Sequence, residues 1–181
     1  MDDRRRRFEA QVLPHLDAAY RFARWLARSS DSADDIVQDA MLRAFRGLDG
    51  LRGSDPKAWL LAIIRNCYLT SLEKQQRHPQ VALSDELAMQ SEHHSSTDSL
   101  DPESASIRRD EQRELAALLH DLPENFREVL ILREIEDMGY REIASVTNLP
   151  MGTVMSRLAR ARSALRKQWL NRVDGESRAM S

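Results

Sequence analysis

The sequence contains few of the residues that build disulfide-bonded, zinc-bound or β-sheet proteins. Its 181 residues include one cysteine, Cys67, so neither an internal disulfide nor a Cys-pair zinc site can form. Six glycines and an aromatic content of 6% argue against an all-β sandwich or barrel. No run of about 18 apolar residues is present, as a transmembrane helix would require, and the basic start lacks a signal peptide's apolar stretch. We therefore expect a cytoplasmic protein without direct membrane insertion.

The charges are nearly balanced overall but unevenly distributed along the chain. The 27 basic and 29 acidic residues leave a net charge of −2. Residues 1–78 hold 14 bases and 11 acids, whereas residues 79–114 hold three bases and nine acids. Residues 115–181 hold ten bases and nine acids, and within them residues 150–173 carry six bases and no acid. Two moderately basic blocks therefore flank an acidic middle segment.

The acidic middle segment has the composition of a linker. Between His78 and Pro102 the sequence is rich in Ser, Asp, Glu and His and has no sustained helical period. The pair His93 and His94 could form half of a metal site, but a solvated pair fits a polar segment without cysteine better. We expect no metal, no other cofactor and no catalytic residue.

These composition changes predict the domain organisation. We place a first domain at residues 1–78, a linker at 79–110, a second domain at 111–171 and a tail at 172–181. Because no apolar stripe crosses the linker, each domain is expected to fold by itself.

The first block is helical by its apolar period. Apolar residues recur at i, i+3, i+4 and i+7 across residues 33–48, and Ser32 is the predicted N-cap of that helix. Further helices are predicted over residues 13–26 and from Pro56 onward, where proline fits a first helical turn. The segment DGLRGSD, residues 49–55, forms a short loop between them. The outward face of the helix over residues 33–48 carries Asp34, Asp35, Gln38, Asp39 and Arg43.

The second block has the spacing of a helix-turn-helix. Ala144 is a small residue where two helices touch, and Asn148, four positions later, tolerates the positive φ of the turn. Val154 follows ten positions after Ala144, and the last helix is expected to bury Val154, Leu158 and Ala161. Its opposite face carries Ser and Arg side chains, and the absence of acids in residues 150–173 favours DNA over a merely solvated face.

Three stretches resemble bacterial sigma factors of the extracytoplasmic-function group of the sigma-70 family. Region 2.2 of that group resembles ADDIVQDAMLRAF, and regions 2.3 to 2.4 resemble PKAWLLAIIRN. Region 4 resembles LPENFREVLILREIEDMGYREIASVTNLPMGTVMSRLARARSALRKQW. The resemblance covers about residues 8–78 and 111–169, in the family's order. It implies an all-α fold of two small helical domains, region 2 and a region 4 helix-turn-helix, joined by a flexible acidic linker.

The resemblance also implies partners. In the family the region 2.2 helix docks onto the clamp helices of the largest subunit of RNA polymerase. Here that assigns core binding to Asp35, Gln38, Asp39 and Arg43. The flap region of the core enzyme, promoter DNA and an anti-sigma factor are the further partners implied.

The resemblance assigns two promoter elements to the two domains. The loop at residues 49–55 and the helix after it would bind the −10 element, where basic groups follow single-strand phosphates and a loop pocket captures a flipped base. The candidates are Arg52, Ser54, Lys57, Arg65, Asn66, Thr70, Lys74 and Arg77. For the −35 element, the base-contacting candidates are Met155, Ser156, Ala159 and Arg160. Those for phosphates or helix packing are Arg141, Arg157, Arg162 and Arg166.

The predicted function is that of a sigma factor rather than an enzyme. The chain would bind core RNA polymerase, direct it to promoters by their −35 and −10 elements and help to melt the DNA. The alternative is a two-domain helix-turn-helix regulator that acts without core polymerase. That alternative accounts for residues 111–169 but leaves the helix at 33–48 and the helix of Trp59 unexplained.

Overall fold

The computed structural model describes residues 2–27, 29–51, 53, 55–77 and 113–179. The described residues form helices and turns, without a β-strand among them. Within these ranges no helix is both long enough and apolar enough to cross a membrane. The predicted linker at 79–110, with His93 and His94, lies outside the described residues, as do Arg52 and Ser54.

Four helices form the first unit. They are α1 (Asp2–Gln11), α2 (Leu16–Leu26), α3 (Ser30–Arg46) and α4 (Pro56–Arg77). One-turn 3₁₀ helices lie at Leu13–His15 and Leu48–Leu51. Helices α2, α3 and α4 pack against one another in pairs. Their apolar faces meet in a core whose largest fully buried members are Phe22, Leu26, Leu48, Leu60, Leu61 and Ile64.

The start of α3 differs from the prediction by three residues. Ser29 has extended backbone angles, and its Oγ accepts a hydrogen bond from the Ser32 backbone N–H at 3.2 Å. Ser29 is therefore the N-cap, and Ser32 lies inside the helix. The predicted cap at Ser32 is wrong because the segment SSDS offers several hydroxyls, and the first one in an extended conformation captures the free N–H groups.

The second unit contains the helix-turn-helix. Residues 113–120 form α5, followed by α6 (Glu124–Leu130), a π-helical extension (Ile131–Ile135), α7 (Tyr140–Thr147) and α8 (Met151–Ala179). Helix α8 packs against both α6 and α7.

The turn between α7 and α8 has the predicted geometry. Asn148 adopts the left-handed conformation, with φ 53° and ψ 44°. Thr147 beside it is buried, and its hydroxyl donates to the Ile143 carbonyl at 2.7 Å, which satisfies the polar group inside the core. Val154, Leu158 and Ala161 are buried on α8, as the period predicted.

The two units pack against each other. Helix α4 lies against α7, and α2 contacts both α6 and the π-helical extension. Buried apolar side chains of both units belong to one contiguous core. The expectation that no apolar surface links the two domains is therefore wrong. The helical period of a sequence identifies which face of a helix is buried, but it does not identify the helix that covers that face.

Candidate protein and nucleic-acid interfaces

The first half of α8 presents the four predicted base-contacting residues on one exposed surface. Met155, Ser156, Ala159 and Arg160 are all exposed, while the buried side of the helix is held by α6 and α7. Ser156 donates its hydroxyl proton to the Thr153 carbonyl at 3.0 Å, which keeps this side chain close to the helix. The surface therefore combines an apolar side chain, a hydroxyl and a guanidinium, groups that can contact base edges in a major groove.

The four arginines predicted for phosphates or packing fall into two groups. Arg141 and Arg166 are exposed. Arg162 is paired with Glu134, its Nη2 lying 2.7 Å from Oε1, and this hydrogen bond raises the pKa of the Arg162 guanidinium. Arg157 is half-buried and lies close enough to a buried carboxylate, Glu128, to attract it.

The −10 candidates that the structure describes lie on two faces of α4. Asn66, Thr70, Lys74 and Arg77 follow each other at intervals of four, four and three residues, which places them along one stripe. The Thr70 hydroxyl donates to the Asn66 carbonyl at 2.8 Å, within that stripe. Lys57 lies on a second face, which packs against the second unit.

The second face of α4 carries ion pairs that connect the two units. Lys57 Nζ donates to the Glu136 backbone carbonyl at 2.6 Å and lies 3.0 Å from Glu136 Oε2. Arg65 donates through Nε to Glu128. Arg21 of α2 binds the Glu136 carboxylate through two atoms, Nε at 2.9 Å and Nη2 at 3.1 Å. Two predicted −10 residues are thus bound to carboxylates of the helix-turn-helix unit.

The environments of these two carboxylates show how deeply the contacts are buried. The Glu136 side chain is 0% exposed, and the Glu128 side chain is 7% exposed. Burial raises the pKa of Glu128, and the neighbouring Arg65 guanidinium opposes that shift without cancelling it. The sequence gave no signal for Arg21, Glu128 or Glu136, because each is an ordinary charged residue on an amphipathic helix.

A groove on the first unit includes part of the predicted core-binding face. Its volume is about 620 Å³ and it lies between α1, α2 and α3. Asp35 and Gln38 line it together with Asp34, whereas Asp39 and Arg43 do not. Asp39 and Arg43 form an ion pair with each other, Oδ2 and Nη2 being 2.8 Å apart.

Apolar side chains exposed in this groove were missed from the sequence. Tyr20, Leu42 and Phe45 are 38%, 54% and 39% exposed, and all three line the groove. The signal was available, because Leu42 and Phe45 lie four and seven residues after Gln38 and so share its face of α3. The groove therefore has an apolar floor and an acidic rim.

Helix α1 is attached to the predicted −10 loop by charge. Arg4 Nη2 lies 2.6 Å from Asp49 Oδ2, and Arg7 Nη1 lies 3.5 Å from Asp49 Oδ1. Phe8 packs edge-on against Phe45, with ring centroids 5.3 Å apart. These contacts hold the basic N-terminal helix beside the start of the loop at 49–55.

Cys67 is a buried core residue, in agreement with its position among apolar neighbours in the sequence. Its side chain is 2% exposed, and burial raises the pKa of the thiol to about 11. A protonated, inaccessible thiol is a poor nucleophile and a poor metal ligand. In the part of the chain that the structure describes, no group of three or more His, Cys, Asp or Glu side chains could hold a metal ion.

Comparisons with known proteins match both units. The family model for Sigma-70 region 2 matches residues 12–78, and the model for Sigma-70, region 4 matches residues 112–165. The chain is 34% identical over 141 residues to the ECF RNA polymerase sigma-E factor of Escherichia coli strain K12, covering 75% of this chain and 73% of that protein. It is 30% identical over 157 residues to the ECF RNA polymerase sigma factor SigE of Mycolicibacterium smegmatis, covering 86% of this chain and 58% of that protein.

Solved structures resemble the chain over most of its length. The sigma factor RpoE of Bartonella quintana, in complex with the anti-sigma factor NepR, superposes with a TM-score of 0.69 at 28% identity, covering 88% of this chain and 94% of that one. CnrH, in complex with the cytosolic domain of CnrY, superposes with a TM-score of 0.59 at 26% identity, covering 90% and 86%.

Proposed function

The chain belongs to the sigma-70 family as an extracytoplasmic-function (ECF) RNA polymerase sigma factor, and we propose how its surfaces divide the work of that function. An ECF sigma factor binds core RNA polymerase, directs it to promoters by their −35 and −10 elements and helps to melt the DNA. The first unit is region 2 and the second unit is region 4. We assign region 2 to residues 1–78 and region 4 to residues 111–171, with residues 79–110 as the linker between them.

The exposed surface of α8 carries the proposal for the −35 element. Met155, Ser156, Ala159 and Arg160 lie on the part of a recognition helix that enters a major groove. Arg160 is suited to guanine, and Met155 and Ala159 are suited to the methyl group of thymine. Family members frequently have Lys or Arg at the Met155 position and a larger side chain at the Ala159 position. We therefore expect a −35 preference that differs from theirs.

The exposed stripe of α4 carries the proposal for the −10 element. Asn66, Thr70, Lys74 and Arg77 are open to solvent or partly so, and lysine and arginine there can follow the phosphates of a separated strand. Lys57 and Arg65 join this surface when the two units separate. Arg52 and Ser54 remain part of the proposal from the sequence alone.

The groove of the first unit carries the proposal for core binding. Its acidic rim and apolar floor are suited to an amphipathic helix with basic residues, such as a clamp helix of the polymerase. Asp35 and Gln38 contribute directly to the groove. Asp39 and Arg43 extend the surface along α3 as an ion pair.

Three further statements complete the proposal. Two solved relatives are complexes, one of them with an anti-sigma factor, and we infer that a partner of this kind holds the chain inactive. The chain supplies binding surfaces while polymerase supplies the chemistry, so we propose no enzymatic activity. We place its work in the cytoplasm, where promoter DNA and polymerase are found.

The proposal is tested by transcription with purified core polymerase. The template is a library of DNA fragments with randomised −35 and −10 segments, and transcripts are sequenced with and without the chain. We expect transcripts that depend on the chain and come from fragments enriched in one sequence at each element. Binding to duplex DNA without any chain-dependent transcript would support the helix-turn-helix regulator instead. That alternative is not favoured, because the match to region 2 accounts for residues 12–78.

A further inference from the structure

We propose that Glu136 and Glu128 hold the free chain in a closed form, in which region 4 covers part of the −10 surface of region 2. The inference rests on the proposed function, because Lys57 and Arg65 are assigned to promoter DNA there. In the closed form these two cations are bound by carboxylates of the chain itself. Promoter DNA can then use them only after the two units separate.

The end of the π-helical extension places Glu136 at this boundary. The Glu136 N–H donates to the Ile131 carbonyl at 3.0 Å, a bond five residues long that widens the last turn. Asp137 follows in the left-handed conformation, with φ 51°, which ends the helix directly after Glu136. Local widening of this kind is frequent at functional positions in helices. Here it places a fully buried carboxylate against two helices of the other unit.

The contacts to Glu136 are those that a phosphate would make. Arg21 donates two hydrogen bonds to the carboxylate, the paired geometry by which arginine also binds phosphate. Lys57 donates to the Glu136 carbonyl and lies in ion-pair range of its carboxylate. A phosphate that approaches Lys57 must therefore displace both a carbonyl and a carboxylate oxygen.

Arg65 and Glu128 repeat the arrangement two turns further along α4. The Arg65 side chain is 18% exposed, so little of the guanidinium is open to a nucleic acid in the closed form. Lys57, 27% exposed, is also largely covered. Because both pairs are shielded from water, salt screens them less than it screens surface pairs.

Packing around the ion pairs closes the same boundary. The rings of Trp25 and His120 are stacked across it, with centroids 5.4 Å apart, and α7 lies along α4. A DNA strand cannot lie on this face of α4 while α7 is there. The affinity of the free chain for −10 DNA is then reduced by the fraction of molecules that are open.

The test compares two arginines of α2. Arg21→Gln removes the paired contact to Glu136 without altering a proposed DNA residue, and Arg21 is 47% exposed, so the fold tolerates the change. Arg24→Gln is the matched control, because Arg24 is exposed on the same helix and carries the same charge. Dyes are attached at Gln75→Cys and Ser163→Cys, two exposed positions in different units, in a Cys67→Ala background.

Two readouts are made on the full chain. The first is energy transfer between the dyes, and the second is the affinity for a single-stranded oligonucleotide that carries the preferred −10 sequence. We expect Arg21→Gln to lower the transfer efficiency and to tighten oligonucleotide binding about tenfold, the usual weight of one charge-assisted contact. Arg24→Gln is expected to leave both values unchanged. Glu136→Gln, which keeps the shape of the side chain, is a second variant and is expected to act like Arg21→Gln.

The inference is overturned if both Arg21→Gln and Glu136→Gln show the transfer efficiency and oligonucleotide affinity of the wild type. Failure of the proposed function is recognised separately, by the absence of chain-dependent transcription with core polymerase for the wild-type protein. A wild type that supports transcription, together with variants that neither open nor bind more tightly, refutes the closed form alone.

Discussion

At Glu128, burial and a neighbouring guanidinium act on one carboxyl group in opposite directions. Burial raises its pKa more than Arg65 lowers it. The folded chain therefore binds this proton more tightly than the unfolded chain, in which the carboxyl has its usual pKa of 4.5. The stabilising effect of protonation is complete below that value and is lost as the pH rises through the raised pKa of the folded state.

This sign leads to a prediction for Glu128→Gln. Glutamine resembles the protonated carboxyl at every pH, so the wild type should lose stability relative to the variant as the pH rises from 4.5 towards 7. The free energy of unfolding, measured in urea at several pH values, checks this expectation. Glu124→Gln is the control, because Glu124 is an exposed residue of the same helix. A wild type that instead gains stability with rising pH would show that attraction to Arg65 outweighs burial.

Two arginines of α8 separate base contacts from phosphate contacts. Arg160 lies on the exposed surface with Met155 and Ala159, and Arg166 lies nearly two turns further along, where the helix leaves the groove. Arg160→Ala should cost about 1–3 kcal/mol on the preferred −35 sequence and little on scrambled DNA. Arg166→Ala should weaken both DNAs alike and reduce the salt dependence by about one counterion.

The measurement for these arginines is binding of the polymerase complex to the two DNAs at several salt concentrations. Equal losses on both DNAs for Arg160→Ala would mean that this residue contacts only the backbone. The base-contacting surface would then have to lie elsewhere on α8.

At the scale of a helix, α3 combines a buried side with an exposed groove. Asp35 lines the groove, whereas Asp31, one turn earlier on the same helix, does not. If the groove binds a basic helix of core polymerase, Asp35→Arg should weaken core association by about tenfold or more, because it places like charges together. Asp31→Arg should have little effect. Fluorescence anisotropy of the labelled chain with core enzyme checks this, and circular dichroism confirms that both variants remain helical.

The helices themselves were predictable from the sequence because a helix's buried side repeats every three to four residues. Val154, Leu158 and Ala161 are buried as that period predicted, and Asn148 takes the left-handed turn. The cap of α3 was misplaced because capping depends on the backbone angles of Ser29, which the residue type alone does not determine. The partner of Lys57 was not predictable at all, since Glu136 is 79 residues away and belongs to another helix pair.

At the scale of the whole molecule, the two units share one core although an acidic segment separates them in sequence. Helix α4 lies against α7, and α2 contacts α6. The three connecting ion pairs have at least one partly or fully buried partner. Apolar packing and charge therefore act at the same boundary. The acidic segment determines how far apart the units can move, while this boundary determines whether they do.

This shared core predicts the behaviour of a chain cut inside the linker. A protease site inserted between Gln90 and Ser99 would yield two fragments that remain associated, because α4 and α7 still cover each other's apolar faces. Size-exclusion chromatography before and after cleavage should show one peak at the mass of the intact chain. Arg21→Gln should shift the cut protein towards separate fragments at lower dilution than Arg24→Gln does. Wild-type fragments that separate as readily as those of Arg21→Gln would show that the Glu136 contacts do not hold the two units together.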